Sequence, residues 1–380
     1  MAQSTPRLVD IAERCGTSVT SVSRILRNQR LEEYSQDTQD RVRKAAAELG
    51  WRPNLIVRGM RTGKTQTIGV FIAPYDTFWT GVLFGVHDTL LESEKVPLVL
   101  WPHALVHPTL DPHDANQRPE TVSANSDERL IFSTGSQSLT GSPVDPTGSA
   151  RRELDRINYL EDRRVDAIIS WPLQEDNARQ RLAMLSNRGW RVVMIDDRLP
   201  DAESALFVGM NEPATMKLIA EHLRKLQHQT IGFVGYDRDT TWSRQRREAF
   251  LEVFGPDAPM VNLVVDNDDV QDEAIRMLRE RPDITGIVAG SDHMARHVCR
   301  AALRVGRSVP GDLSVVGYGN DLYGRGDVPL TTIDQRPYDL GKAAADLGIN
   351  RTGDASSDVL FVGQLVERAS TSMRGVGGKS

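Results

Sequence analysis

Ser18, Val19, Thr20, Ser21, Ser23 and Arg24 crowd hydroxyls, one small apolar side chain and one guanidinium into a single short stretch. On a helix that starts after Ser18, the positions Val19, Thr20, Ser23 and Arg24 fall on the side opposite Val22, Ile25 and Leu26. That outward set suits the edges of base pairs. An arginine fork donates two hydrogen bonds to guanine, and a valine methyl meets the methyl of thymine. Ser18, Ser21 and the N–H groups of the first helical turn suit phosphate oxygens. The chemistry is recognition, not bond making. No Ser/His/Asp ordering with a nucleophile elbow is present, and no histidine–carboxylate metal spacing. His103, His107 and His113 read as solvated histidines of a loop, because no carboxylate or cysteine completes a site there. Gly59-Met60-Arg61-Thr62-Gly63-Lys64-Thr65 imitates a phosphate-binding loop. Its glycines are separated by one residue too few, however, and it precedes an expected strand where the motif should follow one. Neither a metal nor a cofactor is expected.

The elements that must position these residues follow from periodicity. Leu8, Ile11, Ala12 and Cys15 line one helical face, Gly16-Thr17 makes a tight turn, and Ser18 is an N-cap for a second helix. A third helix starts at Ser35 and buries Val42, Ala45, Ala46 and Leu49 before Gly50 ends it and Pro53 follows. A three-helix module with this turn spacing is read as a helix-turn-helix, although a protein-interaction module has the same outline. From Thr67 short apolar runs alternate with helix-length amphipathic segments. The runs are Ile68–Ala73, Val96–Trp101, Ala167–Ser170, Val192–Asp196, Leu206–Met210, Ile231–Tyr236, Leu263–Asp266, Gly286–Gly290 and Leu313–Tyr318. Such alternation predicts an α/β fold of parallel sheets covered by helices, and this many runs predict two lobes with a ligand cleft between them. Residues 102–150 hold six prolines and few apolar residues, and are expected to form a disordered insertion on a surface loop.

Charge separates the same two parts. The chain carries a net −6, but residues 1–64 are basic and the remainder is acidic, which points to a polyanion partner for the N-terminal piece alone. No apolar run is long enough to span a bilayer, and Met1–Arg14 lacks the apolar stretch of a secretory signal, so a cytoplasmic protein with no membrane partner is expected. Cys15 and Cys299 fit no metal spacing and read as free thiols.

Several segments together resemble the LacI–GalR family of bacterial transcription regulators. In the head these are Val9-Asp10-Ile11-Ala12, Cys15-Gly16-Thr17-Ser18 and Ser21-Val22-Ser23-Arg24-Ile25-Leu26, followed by Leu49-Gly50-Trp51-Arg52-Pro53-Asn54 and Arg61-Thr62-Gly63-Lys64-Thr65. In the body they are Gly290-Ser291-Asp292, Val309-Pro310-Gly311-Asp312-Leu313-Ser314-Val315-Val316-Gly317-Tyr318 and Pro329-Leu330-Thr331-Thr332-Ile333. The resemblance implies a helix-turn-helix head over 1–52 and a hinge helix and linker over 53–66. An effector-binding and dimerising core of periplasmic-binding-protein type then runs over 67–373, with a tail over 374–380. It implies a homodimer on operator DNA, with Asn54, Arg58 and Met60 of the hinge adding to the contacts of the head. Met60 stands where the family usually has the leucine that wedges into the minor groove. Thr17, Arg27, Val57 and Gly59 depart from the family pattern, and the loop Arg27–Tyr34 is longer than usual.

For the core, the resemblance implies a small-molecule effector, a sugar or sugar derivative. Asp292 matches the family's effector-binding aspartate, and Arg246 matches an arginine that binds sugar hydroxyls in sugar-responsive members. Both are expected to face the cleft from one lobe. Asp292 also reads as a cap of the helix it precedes, and Arg246 as a solvated helix charge. Trp171 and Gln174 follow a strand, and members with a carboxylate at the latter position use it on the effector. Phe78 and Trp79 suit either a sugar face or the core. The function expected is that of a repressor whose operator affinity an effector sets. Two alternatives are a regulator answering to a protein corepressor and a solute-binding protein without a DNA role.

Overall fold

The computed structural model describes residues 6–52, 59, 63–72, 74, 76–101, 146–171, 173, 175–236, 240–263, 268–321, 324, 328–349 and 358–374. The chain divides into two compact units, Met1–Thr65 and Gln66–Ser380.

The first unit is built on α1 (Leu8–Cys15), α2 (Val19–Leu26) and α3 (Gln36–Glu48). Gly16 takes a left-handed conformation (φ 62°) that ends α1, where a side chain would be strained. Ser18 caps α2 and Ser35 caps α3, each accepting a backbone N–H three residues on. Ile11, Ala12, Val22, Ile25, Val42, Ala45 and Ala46 form the buried centre, and Leu26 and Leu49 pack against it partly buried. A 3-10 turn over Leu31–Glu33 occupies the long connection between α2 and α3.

The second unit holds two six-stranded sheets. The N-lobe contains β1 (Thr67–Phe71), α4 (Thr77–Glu92), β2 (Val96–Leu100), α5 (Pro146–Asp162), β3 (Ala167–Ser170), α6 (Asp176–Asn187), β4 (Val192–Ile195) and β5 (Leu206–Met210). The C-lobe contains α7 (Glu212–Lys225), β6 (Ile231–Tyr236), α8 (Thr241–Phe254), β7 (Met260–Leu263), α9 (Asp268–Glu280), β8 (Gly286–Ala289), α10 (Asp292–Arg304), β9 (Ser314–Tyr318) and β10 (Thr331–Asp334). The chain then returns to the N-lobe through α11 (Pro337–Gly348) and β11 (Val359–Phe361), and ends in the C-lobe with β12 (Gln364–Val366). The sheet orders are β11-β5-β4-β3-β1-β2 and β12-β10-β9-β8-β6-β7. All pairings are parallel except β10 with β12. Residues 210–212, 334–337 and 361–364 therefore carry the chain between lobes. Strand residues such as Val70, Ile168, Ile169 and Val193 pack with α4 and α11 in one core, while Val288, Val316 and Phe233 pack with α7 and α8 in the other lobe.

The outcome differs from expectation in two places. Strand β7 is described at Met260–Leu263, and residues 264–266 of the run expected there lie outside the described residues. Residues 146–150 belong to α5, which begins at Pro146, so the stretch 102–150 is not irregular to its end; residues 102–145, with His103, His107 and His113, lie outside the described residues. Strands β10, β11 and β12 had no counterpart among the apolar runs, because β10 is largely polar and the other two are three residues long.

Candidate nucleic-acid interface and interlobe site

In the first unit, Val22 and Ile25 turn α2 so that its other side is free. Val19 (43% exposed) and Thr20 lie in solvent, and Ser23 and Arg24 are half-buried. The Ser18 hydroxyl accepts from Ser21 N–H at 3.0 Å and shares a hydrogen bond with the Ser21 hydroxyl at 2.9 Å. Arg24 does not stand free: its guanidinium meets Glu33 at 3.0 Å, and Arg30 holds the same carboxylate at 3.3 Å. The 3-10 turn, which the sequence pattern does not announce, thus supplies a counter-ion to the one cation of α2. Being exposed, the pair is weak and can exchange for a stronger acceptor. Asn54, Arg58 and Met60 lie outside the described residues.

In the second unit the carboxyl ends of strands from both lobes carry the remaining candidates. Trp171 follows β3, and Phe78 and Trp79 open α4. Trp79 stacks edge-on against Phe78 (5.0 Å between ring centres) and against Trp171 (5.8 Å), and all three pack on the N-lobe core. Gln174 lies outside the described residues.

Arg246 and Asp292 belong to the same lobe but do not touch each other's partners. Arg246 is 4% exposed, so it is not a solvated helix charge. Its Nε and Nη2 donate to Glu212 Oε1 at 3.1 and 2.7 Å, and Nη1 donates to the Gly290 carbonyl at 2.8 Å. The plane lies over the Tyr318 ring (3.5 Å to its centre) and near Trp242 (5.3 Å). The Tyr318 hydroxyl donates to the other Glu212 oxygen at 2.7 Å. Burial works against the Arg246 cation, and Glu212 outweighs it, so the side chain is held firmly charged. Burial, then the Glu212 charge, pushes the Tyr318 hydroxyl up, which keeps it a donor.

Asp292 is fully buried at the start of α10. It is not the cap: Ser291 takes that role, accepting from Met294 N–H at 3.2 Å. The Asp292 carboxylate instead accepts from the Thr332 hydroxyl at 2.5 Å and from Asp321 N–H at 3.0 Å, pinning the loop after β9 to β10. A Cβ at Gly317 would stand 2.1 Å from Asp292 Oδ1, so only glycine lets the carboxylate in. Burial raises the Asp292 carboxyl, opposed by the Thr332 hydrogen bond.

Sequence reasoning missed Glu212, Tyr318 and Asp196. Asp196 ends β4 in a left-handed conformation (φ 59°), with Oδ1 buried and without a hydrogen-bond partner. Burial pushes its carboxyl up to about 7, against the pull of Arg246. The left-handed turn of a non-glycine residue beside a buried arginine has no one-dimensional signature. Among the described residues no cluster of His, Cys, Asp or Glu is suited to a metal ion, and no helix is long and apolar enough to cross a membrane.

A helix-turn-helix head joined to a two-lobed core of parallel sheets defines a class of DNA-binding transcription regulators, and comparison with known proteins makes the assignment specific. Residues 7–54 match "Bacterial regulatory proteins, lacI family" and residues 220–371 match "Periplasmic binding protein-like domain". An uncharacterized HTH-type transcriptional regulator in the aml 5' region of Streptomyces limosus is 31% identical over 253 residues, covering 61% of this chain and 70% of that one. The ribose operon repressor of Bacillus subtilis is 25% identical over 346 residues, covering 89% of each. A lac repressor dimer bound to operator and an anti-inducer has the same fold, with a TM-score of 0.68 at 20% identity over 97% of this chain and 99% of that one. The chain belongs to the lacI family of bacterial regulatory proteins.

Proposed function

We propose that this regulator represses transcription by binding an imperfect palindrome as a homodimer in the cytoplasm, and that a sugar or sugar derivative between the core lobes sets its operator affinity. The observation that carries the DNA reading is the exposed face of α2. Val19 and Thr20 stand in solvent beside a capped helix N-terminus, with Arg24 tied by an exposed ion pair. Ser18, Ser21 and the helix N-terminus take phosphates, Val19, Thr20, Ser23 and Arg24 read base edges, and Asn54, Arg58 and Met60 add hinge contacts. A single head reads one half-site, hence the dimer. The operator-bound dimer and the ribose operon repressor among the related proteins support this reading.

For the effector, Phe78, Trp79 and Trp171 supply aromatic walls from the N-lobe, Arg246 and Asp292 supply polar groups from the C-lobe, and Gln174 is a further contact that the family resemblance suggests. The hydrogen bonds of Arg246 to Glu212 and to the Gly290 carbonyl fix the guanidinium in place, and a guanidinium is a donor suited to a hydroxylated ligand. Such a ligand changes DNA binding only by its unequal affinity for two core conformations. The test is a thermal-shift screen of monosaccharides and disaccharides, followed by operator titrations with any that bind. A sugar that both raises the unfolding temperature and shifts operator affinity is expected. A sugar-binding core with unchanged operator affinity, or no binding by any sugar, contradicts the effector reading and leaves the DNA reading standing.

A further inference from the structure

We infer that Asp197 is a positioning residue that caps helix α8 from across the lobe boundary and so holds the ligand-free core closed. Helix α8 carries Arg246, and its own N-cap is not used. Thr240 has the extended backbone of an N-cap (φ −113°, ψ 149°), yet its side chain makes no capping bond and its hydroxyl is buried without a partner. The first N–H of the helix is satisfied from the other lobe. Thr241 N–H donates to Asp197 Oδ1 at 2.8 Å, and the Thr241 hydroxyl accepts from Arg198 N–H at 3.0 Å. Asp197 and Thr241 are 1% and 3% exposed.

The carboxylate is held from the N-lobe side. Arg179 on α6 reaches Asp197 Oδ2 at 3.1 Å and also donates to the carbonyls of Leu173 and Arg198. Arg198 in turn lies over Phe207 and pairs with Asp358, both N-lobe residues. The cap is therefore anchored in one lobe, and the helix it caps belongs to the other. A carboxylate at a helix N-terminus gains from both the hydrogen bond and the helix dipole. Separating the lobes exposes both groups to water and loses this contact, which favours the closed arrangement about tenfold. An effector that prefers the closed form would find it already populated, and loosening the cap would weaken that effector only as far as it lowers the closed fraction. The inference concerns the ligand-free protein and does not depend on what the effector is.

The test measures lobe separation in the full chain without ligand. Met184 on α6 and Leu303 on α10 are exposed positions, one in each lobe, for a spin-label pair introduced as Met184→Cys and Leu303→Cys with Cys15→Ser and Cys299→Ala. Asp197→Ala removes the cap. Thr241→Pro removes the N–H at the first helical position, where proline is accepted and where the preceding residue already has the extended backbone proline requires. Because it also removes the hydroxyl that accepts from Arg198, Thr241→Val, which loses the hydroxyl and keeps the N–H, is its control and should open less. Wild type should give one short distance. Asp197→Ala and Thr241→Pro should each raise a longer-distance population about tenfold, with helix content unchanged, and their double variant should open no further than the singles. The wild-type distance retained in Thr241→Pro, or single effects that add in the double variant, would overturn the inference. If Asp197→Ala fails to fold because Arg179 is stranded, Thr241→Pro compared with Thr241→Val decides, and equal opening in the two would overturn the inference.

Discussion

The family pattern singles out Arg246, but nothing in the sequence announces its surroundings. Glu212 lies 34 positions upstream on another helix, and no period in the sequence joins them. The pairing changes what a substitution should do. As an effector contact alone, Arg246 could be truncated without harm to the fold, but Arg246→Ala would strand a buried carboxylate, a loss of about 3–5 kcal/mol. The double variant Arg246→Met with Glu212→Gln leaves no buried charge and should recover most of that loss in chemical denaturation. A double variant as unstable as the single one would show that the charge pair is not what the lobe depends on. Asp196 offers a second test with a definite sign. Its carboxyl holds its proton in the folded protein up to about 7, while in the unfolded chain it ionises near 3.8. The folded state therefore binds more protons between these values, and stability is lost as pH rises through that window, levelling above it. Asp196→Asn removes the ionisation, keeps the volume, and places in the left-handed turn a residue that tolerates it. It should stabilise the protein at pH 8, by roughly 1 kcal/mol or more, and hardly at all at pH 4. Thermal unfolding across this range checks it, and an equal effect at both ends would refute the role of the proton.

At the scale of elements, helices were read well where caps and apolar faces coincide. Ser18 stands at the N-cap it was expected to occupy, and Ser35, where the third helix was expected to start, is the N-cap of α3. Strands were legible where they are buried on both faces, as in the fully buried β3 and β4. Strand β10 escaped because its burial is polar: Thr331 and Thr332 have no exposed surface, and their hydroxyls are satisfied by the Arg368 carbonyl and by Asp292. Hydrophobic patterning cannot register a strand stabilised by side-chain hydrogen bonds. The stretch after β2 makes the converse point, since low apolar content there says only that little can be buried. Both flanking elements have their own support: β2 pairs with β1, and α5 buries Ile157 and Leu160. Removing residues 104–143 with a short Gly/Ser bridge should shift the unfolding temperature by a few degrees at most, because loop-closure entropy varies slowly with length. A fall well beyond that would mean the segment packs on the core.

For the molecule as a whole, residues 1–64 are basic and the remainder is acidic, and the chain divides into the compact units Met1–Thr65 and Gln66–Ser380. What sequence alone could not supply is how the two lobes of the second unit are tied to each other, since that depends on contacts such as Asp197 with Thr241 that join distant segments. The central claim is that α2 reads base sequence. The measurement that tests it most directly is affinity for DNA fragments selected from a genomic pool, compared with scrambled DNA, for wild type and Arg24→Ala at increasing salt. The selected sites should be palindromic, and affinity should fall steeply with salt in both proteins. Arg24→Ala should lose about 1–3 kcal/mol on the selected site, with relaxed preference at one base pair of each half-site. Equal weakening on selected and scrambled DNA would make Arg24 a phosphate contact, and selection of no common sequence by the wild-type protein would contradict the account outright.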